Sequence, residues 1–255
     1  MLTFLPSGVL PDTDALANGA LINDDGHGFA IVDGQRLIVG RGMTAERMIA
    51  KFAKLRHKHP AGPALFHSRF GTHGKRGTGN CHPFRVGGDR DTVLAHNGIL
   101  PWKVRPRAGD RRCDTRIAAE DFLPQKPCGS FSTQRGRARL ENWMGPNNKI
   151  VILTVNRRYR RNAYLLNEHR GIWDNGTWYS NNDYLDFPVT GASQVATDEV
   201  CAVCHWSSSI DTVTGFCRAC GFCQDCYEPG DYCRCYLPRT LTAHEWTDGS
   251  AAHEL

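Results

Sequence analysis

The sequence predicts an α+β protein, with antiparallel sheets carrying helices on their faces, followed by a small cysteine-rich module. Three observations lead there. Asp33-Gly34 lies between the apolar runs Phe29 to Val32 and Arg36 to Val39, a strong hairpin signal. Met48, Ile49, Phe52 and Leu55 recur at helical spacing after Thr44, so hairpins mix with amphipathic helices instead of alternating regularly with them. Eight of the eleven cysteines crowd between Cys201 and Cys235, leaving only Cys81, Cys113 and Cys128 elsewhere.

Taken in order, Leu2 to Leu5 is a short apolar run ended by Pro6 and reads as the first strand. Asp14 to Ile22 reads as a short helix. Asn23 to Gly28 is a loop feeding the strand Phe29 to Val32. Thr44 can cap the helix that Pro60 ends. Strands follow at Ala64 to His67 and Val93 to His96. Helices are predicted over Asp114 to Phe122 and Thr133 to Met144, the second stopped by Gly145-Pro146. Ile150 to Val155, Ala163 to Asn167 and a pair around Asp174-Asn175-Gly176 complete the strands. Gly191 to Thr197 is the expected linker, which divides the chain into residues 1–190, a module at 198–237 and a polar tail at 238–255.

With 255 residues, 40% of them hydrophobic, the chain can build one sizeable core and a small appendage. No cationic and apolar leader opens it, and no apolar run approaches membrane length, so a soluble, cytoplasmic protein is expected. Ala252-His253-Glu254-Leu255 is not an ER-retention signal, and Asn175-Gly176-Thr177 means nothing for glycosylation without secretion. In that setting clustered cysteines argue for metal over disulfides. Metal also changes the charge: the formal +5 counts thiols as neutral, and eight thiolates with two Zn²⁺ add −8 + 4, leaving about +1. The basicity is then a weak argument for nucleic acid. Arg157 to Arg161 and Arg105 to Arg112 read as solvated loops.

Four short motifs run in order from His67 to Thr115. They are His67-Ser68-Arg69-Phe70-Gly71-Thr72-His73-Gly74, Asn80-Cys81-His82-Pro83-Phe84, His96-Asn97-Gly98 and Asp114-Thr115. Together they hold what a pocket for a free α-amino acid needs. Arginine can bind the α-carboxylate through two parallel hydrogen bonds, and aspartate can bind the ammonium. An asparagine side chain with a glycine N–H can stabilise an oxyanion. Read singly, each has a plainer explanation: Arg69 as an ion-pair residue, Asn97-Gly98 as a turn, Asp114 as a helix N-cap.

In order and wording these motifs resemble the class II glutamine amidotransferases, a branch of the N-terminal-nucleophile hydrolases. The resemblance covers about residues 1–185, most closely 18–115. It implies a four-layer αββα sandwich that hydrolyses the glutamine side-chain amide. Carried over, Arg69 would clamp the substrate carboxylate and Asp114 its ammonium. Asn97 and Gly98 would form the oxyanion hole, and Thr72, His73 and His82 would line the pocket. Family members use an N-terminal cysteine whose own α-amine is the base, and this chain opens Met1-Leu2-Thr3. Two expectations follow. Either the start lies a few codons upstream and includes that cysteine, or catalysis is lost and the pocket only binds. Internal Cys81, Cys113 and Cys128 are expected to be small buried apolar residues.

The cysteine cluster reads Cys201-x2-Cys204, then Cys217-x2-Cys220-x2-Cys223-x2-Cys226, then Cys233-x-Cys235. Eight paired thiols suit two closed, structural Cys₄ zinc sites. A cross-brace would put Cys201, Cys204, Cys223 and Cys226 on one ion and Cys217, Cys220, Cys233 and Cys235 on the other; sequential pairing is the alternative. The segments Phe216 to Cys220 and Phe222 to Tyr227 resemble ZZ-type fingers over a short stretch. No synthetase-sized segment accompanies the first domain, so an ammonia acceptor is expected on a partner protein, with the zinc module as a docking platform in the binding-only reading.

Overall fold

The computed structural model describes residues 1–72 and 74–186, together with Cys201 and Cys217. The chain divides into two units, Met1–Ser193 and Gln194–Leu255. The fold described here is that of the first. Among the described residues its strands are β1 (Leu2–Leu5), β2 (His27–Asp33), β3 (Arg36–Gly42), β4 (Ala64–Ser68), β5 (Phe84–Arg85), β6 (Thr92–Asn97), β7 (Lys149–Thr154), β8 (Ala163–Leu166), β9 (Ile172–Asp174) and β10 (Thr177–Tyr179). They form two antiparallel sheets, in the orders β3-β2-β4-β1-β10-β9 and β5-β6-β7-β8. β1 lies inside the first sheet, with Leu2 opposite His67 on one side and Phe4 opposite Trp178 on the other.

Period-2 alternation sorts the side chains between faces. Leu2, Phe4, Ala30, Val32 and Leu65 of the first sheet meet Val93, Ala95, Val151 and Leu153 of the second in one dry core. The intervening residues of the first sheet, among them Leu5, Phe29, Ile31 and Phe66, pack outward against helices α1 (Thr13–Ile22) and α2 (Ala45–Lys58). Leu94, Ile150 and Ile152 pack outward from the second sheet against α3 (Asp114–Ile117) and α4 (Gln134–Met144).

The helices form for local reasons, with some departures from expectation. α1 begins one residue before the predicted Asp14, because the Asp12 carboxylate accepts from Asp14 N and Ala15 N, each at 3.0 Å. Thr44 occupies the N-cap of α2 but makes no side-chain capping bond. α2 buries Met48, Ile49 and Phe52 as expected, then Arg56 where the apolar stripe predicted Leu55. The Arg56 guanidinium donates to four backbone carbonyls, those of Pro6, Val9, His59 and Gly62, and so ties two loops to the helix. The helix predicted over Asp114 to Phe122 is α-helical only to Ile117; Ala118–Phe122 widens into a π-turn. Cys113, not Asp114, is its N-cap, and Asp114 is its first residue. Thr133 caps α4 through Gly136 N at 3.0 Å, and Gly145 ends it with φ +79°. The two-residue β5 had no predicted counterpart, being too short to show a period.

Candidate functional site

β4 and β6 deliver most of the candidate residues from the same end of the two sheets. Asn97 continues the face of Val93 and Ala95, and His67 continues that of Leu65, so both follow the inter-sheet core outward. His82 fills the space beside them. Its ring stacks on His67 with centroids 4.0 Å apart and meets Phe84 edge-on at 4.9 Å. His82 Nδ1 accepts from His96 N at 3.2 Å, which leaves the proton of the neutral ring on Nε2.

His96 points to the other face of β6. Its Nδ1 lies 2.9 Å from Thr115 Oγ1, and its Nε2 lies 2.8 Å from Asn148 Oδ1. Asn148 Nδ2 donates to the Met144 carbonyl, so Oδ1 is the acceptor and His96 carries its proton on Nε2. Burial pushes His27, His67, His82 and His96 all below the ordinary imidazole range, and the Arg69 charge adds to the effect at His67 and His82. These rings are neutral. Two of their nitrogens, His27 Nε2 and His67 Nδ1, are buried without a hydrogen-bond partner among the described residues.

Arg69 is buried, and its backbone is clamped to the loop before β2: Asp25 N donates to Arg69 O and Arg69 N to Gly26 O, both at 2.8 Å. Its charge acts on Cys113, as does that of neighbouring Asp114, so the two charges flank that thiol. Asp114 is 5% exposed. One of its oxygens accepts from Leu100 N at 2.9 Å and the other from Thr115 N at 2.7 Å, which ties the segment after Gly98 to α3. Asn97 is half-buried, and its side chain makes no hydrogen bond among the described residues. Gly98 has φ +127°, and a Cβ there would lie 2.5 Å from Asn148 Oδ1, so both conformation and space require glycine. Thr72 is half-buried beyond Gly71, whose N–H donates to Asp25 Oδ2 at 2.8 Å. His73 lies outside the described residues, as do Cys204, Cys220, Cys223, Cys226, Cys233 and Cys235; Cys201 and Cys217 are buried.

Met1 stands at the start of β1 with its α-nitrogen donating to Ser68 O at 2.8 Å. Burial pushes that amine down to about 5, partly offset by Asp183 and reinforced by Lys149, which pairs with Asn97 across β6 and β7. An amine so shifted is uncharged at neutral pH and can accept a proton. The Met1 side chain turns away toward α1, where a Cβ on Gly19 would lie 2.0 Å from its Cε. The internal thiols are held protonated by burial: Cys81 and Cys128 are raised, and Cys113 is pushed up to about 12.

Two site residues carried no sequence signal of their own. Asn148 follows the Gly145-Pro146 stop, where paired asparagines look like turn residues. Asn80 stands in the Asn80 to Phe84 motif, where its residue type alone assigns it no partner. Its Nδ2 donates to Lys75 O and Arg111 O, both at 2.8 Å, and its Oδ1 accepts from Cys113 N at 2.9 Å, so it pins the 75–80 loop beside Asp114.

No family model and no curated protein matches the chain. Solved structures do. A glutamine phosphoribosylpyrophosphate amidotransferase from B. subtilis, complexed with ADP and GMP, aligns at 19% identity and TM-score 0.43, covering 60% of this chain and 35% of that one. A structure described as the allosteric regulatory enzyme of purine biosynthesis aligns at 21% and 0.40, with the same coverages. A glutamine aminotransferase class-II domain protein from Silicibacter pomeroyi aligns at 15% and 0.33, covering 60% of this chain and 72% of that one. The aligned region thus spans about a third of the first two.

Proposed function

We propose that the Met1–Ser193 unit is a class II glutamine amidotransferase-type domain that binds glutamine and releases ammonia from its side-chain amide, for an acceptor held by a separate partner. The observation that carries this reading is Asn97, whose side-chain amide bonds nothing among the described residues while His82, His96, Asn148 and Asp114 near it are hydrogen-bonded. A side-chain N–H left available beside Gly98 is what a developing oxyanion needs.

In this reading Arg69 pairs with the substrate α-carboxylate. Asp114 accepts from the substrate ammonium with the lone pairs its two backbone donors leave unused. Asn97 Nδ2 and Gly98 N–H take the oxyanion, and Thr72, His73 and His82 line the pocket. Hydrolysis in this reading requires a cysteine thiolate at the head of β1, where this sequence has Met1, with the adjacent α-amine as base; burial at this place keeps the amine uncharged and so able to accept a proton. Cys81 and Cys113, buried and protonated, do not supply it.

The test is a pair of proteins. One starts at Met1; the other begins with a free cysteine directly before Met1, as an in-frame upstream Met-Cys would give after methionine removal. The second should release ammonia from glutamine, a Cys→Ala change should abolish release, and the first should bind glutamine without turnover. Absence of glutamine binding by both in calorimetry would overturn the reading. A second reading is favoured by the Met1 side chain, which is packed into the core: the pocket binds a small amide without hydrolysing it. Binding by both proteins with turnover by neither would select it.

For the second unit the proposal is two structural Cys₄ zinc sites. The donor chemistry fits, since eight thiols in close pairs match two tetrahedral ions. Cys201, Cys204, Cys223 and Cys226 would hold one and Cys217, Cys220, Cys233 and Cys235 the other. Bound zinc would supply folding free energy to this segment and no chemistry to the first.

A further inference from the structure

β3 and β5 are each an edge strand, one in each sheet, and each carries an arginine on the face that looks into the space between the sheets. Arg41 shares a face of β3 with Leu37, which packs against the inter-sheet core. Arg85 stands opposite Val93, a member of that core, in the β5–β6 register. Between them opens a cleft of about 400 Å³, bounded by Val39, Arg41, Phe84, Arg85, Val93 and Glu120.

The charge there is out of balance. The Arg41 guanidinium lies 5.3 Å from the centre of the Phe84 ring. Neither it nor Arg85 has a hydrogen bond or ion pair from its side chain among the described residues. Glu120, the one carboxylate bounding the cleft, is already held by Arg116 Nε at 2.8 Å and by an Arg112 nitrogen at 3.2 Å. Arg85 and Arg116 repel the Arg41 charge, and Glu120, shared with Arg112 and Arg116, attracts it. An inward charge on an edge strand can simply deter pairing with another sheet. That accounts for each arginine alone, but not for two exposed arginines from different sheets bounding one cleft, one of them over an aromatic ring.

We propose that this cleft binds a small phosphate monoester whose ester group is apolar or aromatic, with Arg41 and Arg85 gripping the phosphate oxygens and exposed Val39 contacting the ester group above the Phe84 ring that backs Arg41. A phosphate is favoured over a carboxylate by stoichiometry. One guanidinium fork saturates the two oxygens of a carboxylate, whereas three phosphate oxygens carrying about −1.5 to −2 charge suit two forks.

Phenyl phosphate titrated into the full chain in low-chloride buffer is the probe, with inorganic phosphate, benzoate and phenol alongside. Saturable one-site binding at about 1 mM or tighter is expected for phenyl phosphate, weaker binding for phosphate and benzoate, and none for phenol. Arg41→Gln and Arg85→Gln should each weaken binding about tenfold or more while leaving the melting temperature unchanged, and exposed Arg90→Gln should leave affinity as it was. Unsaturable binding overturns the proposal. So does equal affinity in Arg41→Gln and Arg85→Gln, including the case where those variants self-associate, which would make the arginines edge guards only. Either failure leaves the glutamine reading standing.

Discussion

At Asn148 one side chain and its backbone hold several segments in register. Oδ1 accepts from His96, Nδ2 donates to the end of α4, and the main-chain carbonyl accepts from Asn167 Nδ2 at 2.8 Å. Gly98 leans on the same Oδ1. Asn148→Ala should therefore cost about 1–3 kcal/mol in denaturant unfolding, since it orphans a buried imidazole N–H, and should weaken glutamine binding by loosening Gly98. Gly98→Ala should do both more severely, because φ +127° is strained for any Cβ and the added atom has nowhere to go. Asn97→Ala should behave differently. Its amide supports no other group, so stability should stay within about 0.5 kcal/mol, while turnover by the cysteine-bearing form should lose about 2.7–4 kcal/mol of transition-state stabilisation. Equal effects of Asn97→Ala on stability and turnover would return Asn97 to an ordinary turn role.

Among the elements, α2 shows how one polar residue can replace an apolar one in a core. Arg56 is fully buried, has no carboxylate partner among the described residues, and is satisfied by four carbonyls from the turns after β1 and after α2. It thereby fixes the approach of both turns to the first sheet. Arg56→Met keeps the aliphatic stem and strands those carbonyls. The expected loss is about 3 kcal/mol or more in unfolding free energy, with hydrogen exchange rising first in residues 6–9 and 59–62. Lysine should not rescue it, because a single ammonium cannot span the acceptors that the planar fork reaches. The π-turn at Ala118–Phe122 lies directly after Asp114 and carries Glu120, so it places a carboxylate beside Arg112 and Arg116 just beyond the candidate site.

For the Met1–Ser193 unit as a whole, the buried imidazoles set a pH dependence. His27, His67, His82 and His96 have folded-state pKa values depressed by burial, whereas in the unfolded chain each titrates near 6.5. The unfolded state then binds more protons at these rings as pH falls below about 6.5, so their contribution is intact above that value and declines beneath it, by up to about 1.4 kcal/mol per pH unit for each ring, on top of the decline from about pH 8 that the buried Met1 amine sets. Unfolding midpoints measured from pH 7.5 to 5.5 should fall steeply, and His67→Phe should flatten the slope. A midpoint that rises toward acid would contradict the neutral assignment of the cluster. In the second unit, elemental analysis should find about two zinc equivalents per chain, and Cys201→Ser should unfold that unit while leaving the first one's transition unchanged.

Much of this protein is written in local patterns. The Asp33-Gly34 pair marked the β2–β3 hairpin, whose two-residue turn is Gly34-Gln35 between paired Asp33 and Arg36, and Gly145 ended α4, because a tight turn or a positive φ depends on the residue itself and its immediate neighbours. Paired thiol spacing pointed to metal for the same local reason, although most of those residues lie beyond what the structure describes. The candidate pocket was legible only as an ordered set of residue types: a buried arginine, an Asn-Gly after a strand and an aspartate before a helix. What their side chains bond was decided by tertiary structure. Asn148 meets His96, Asn80 reaches Cys113, and Arg41 and Arg85 face one cleft, and each pairing joins segments distant in sequence whose approach depends on how the sheets stack and which strands end up at their edges. A periodicity can name the face a residue occupies, but it carries no record of the partner that packing brings to that face.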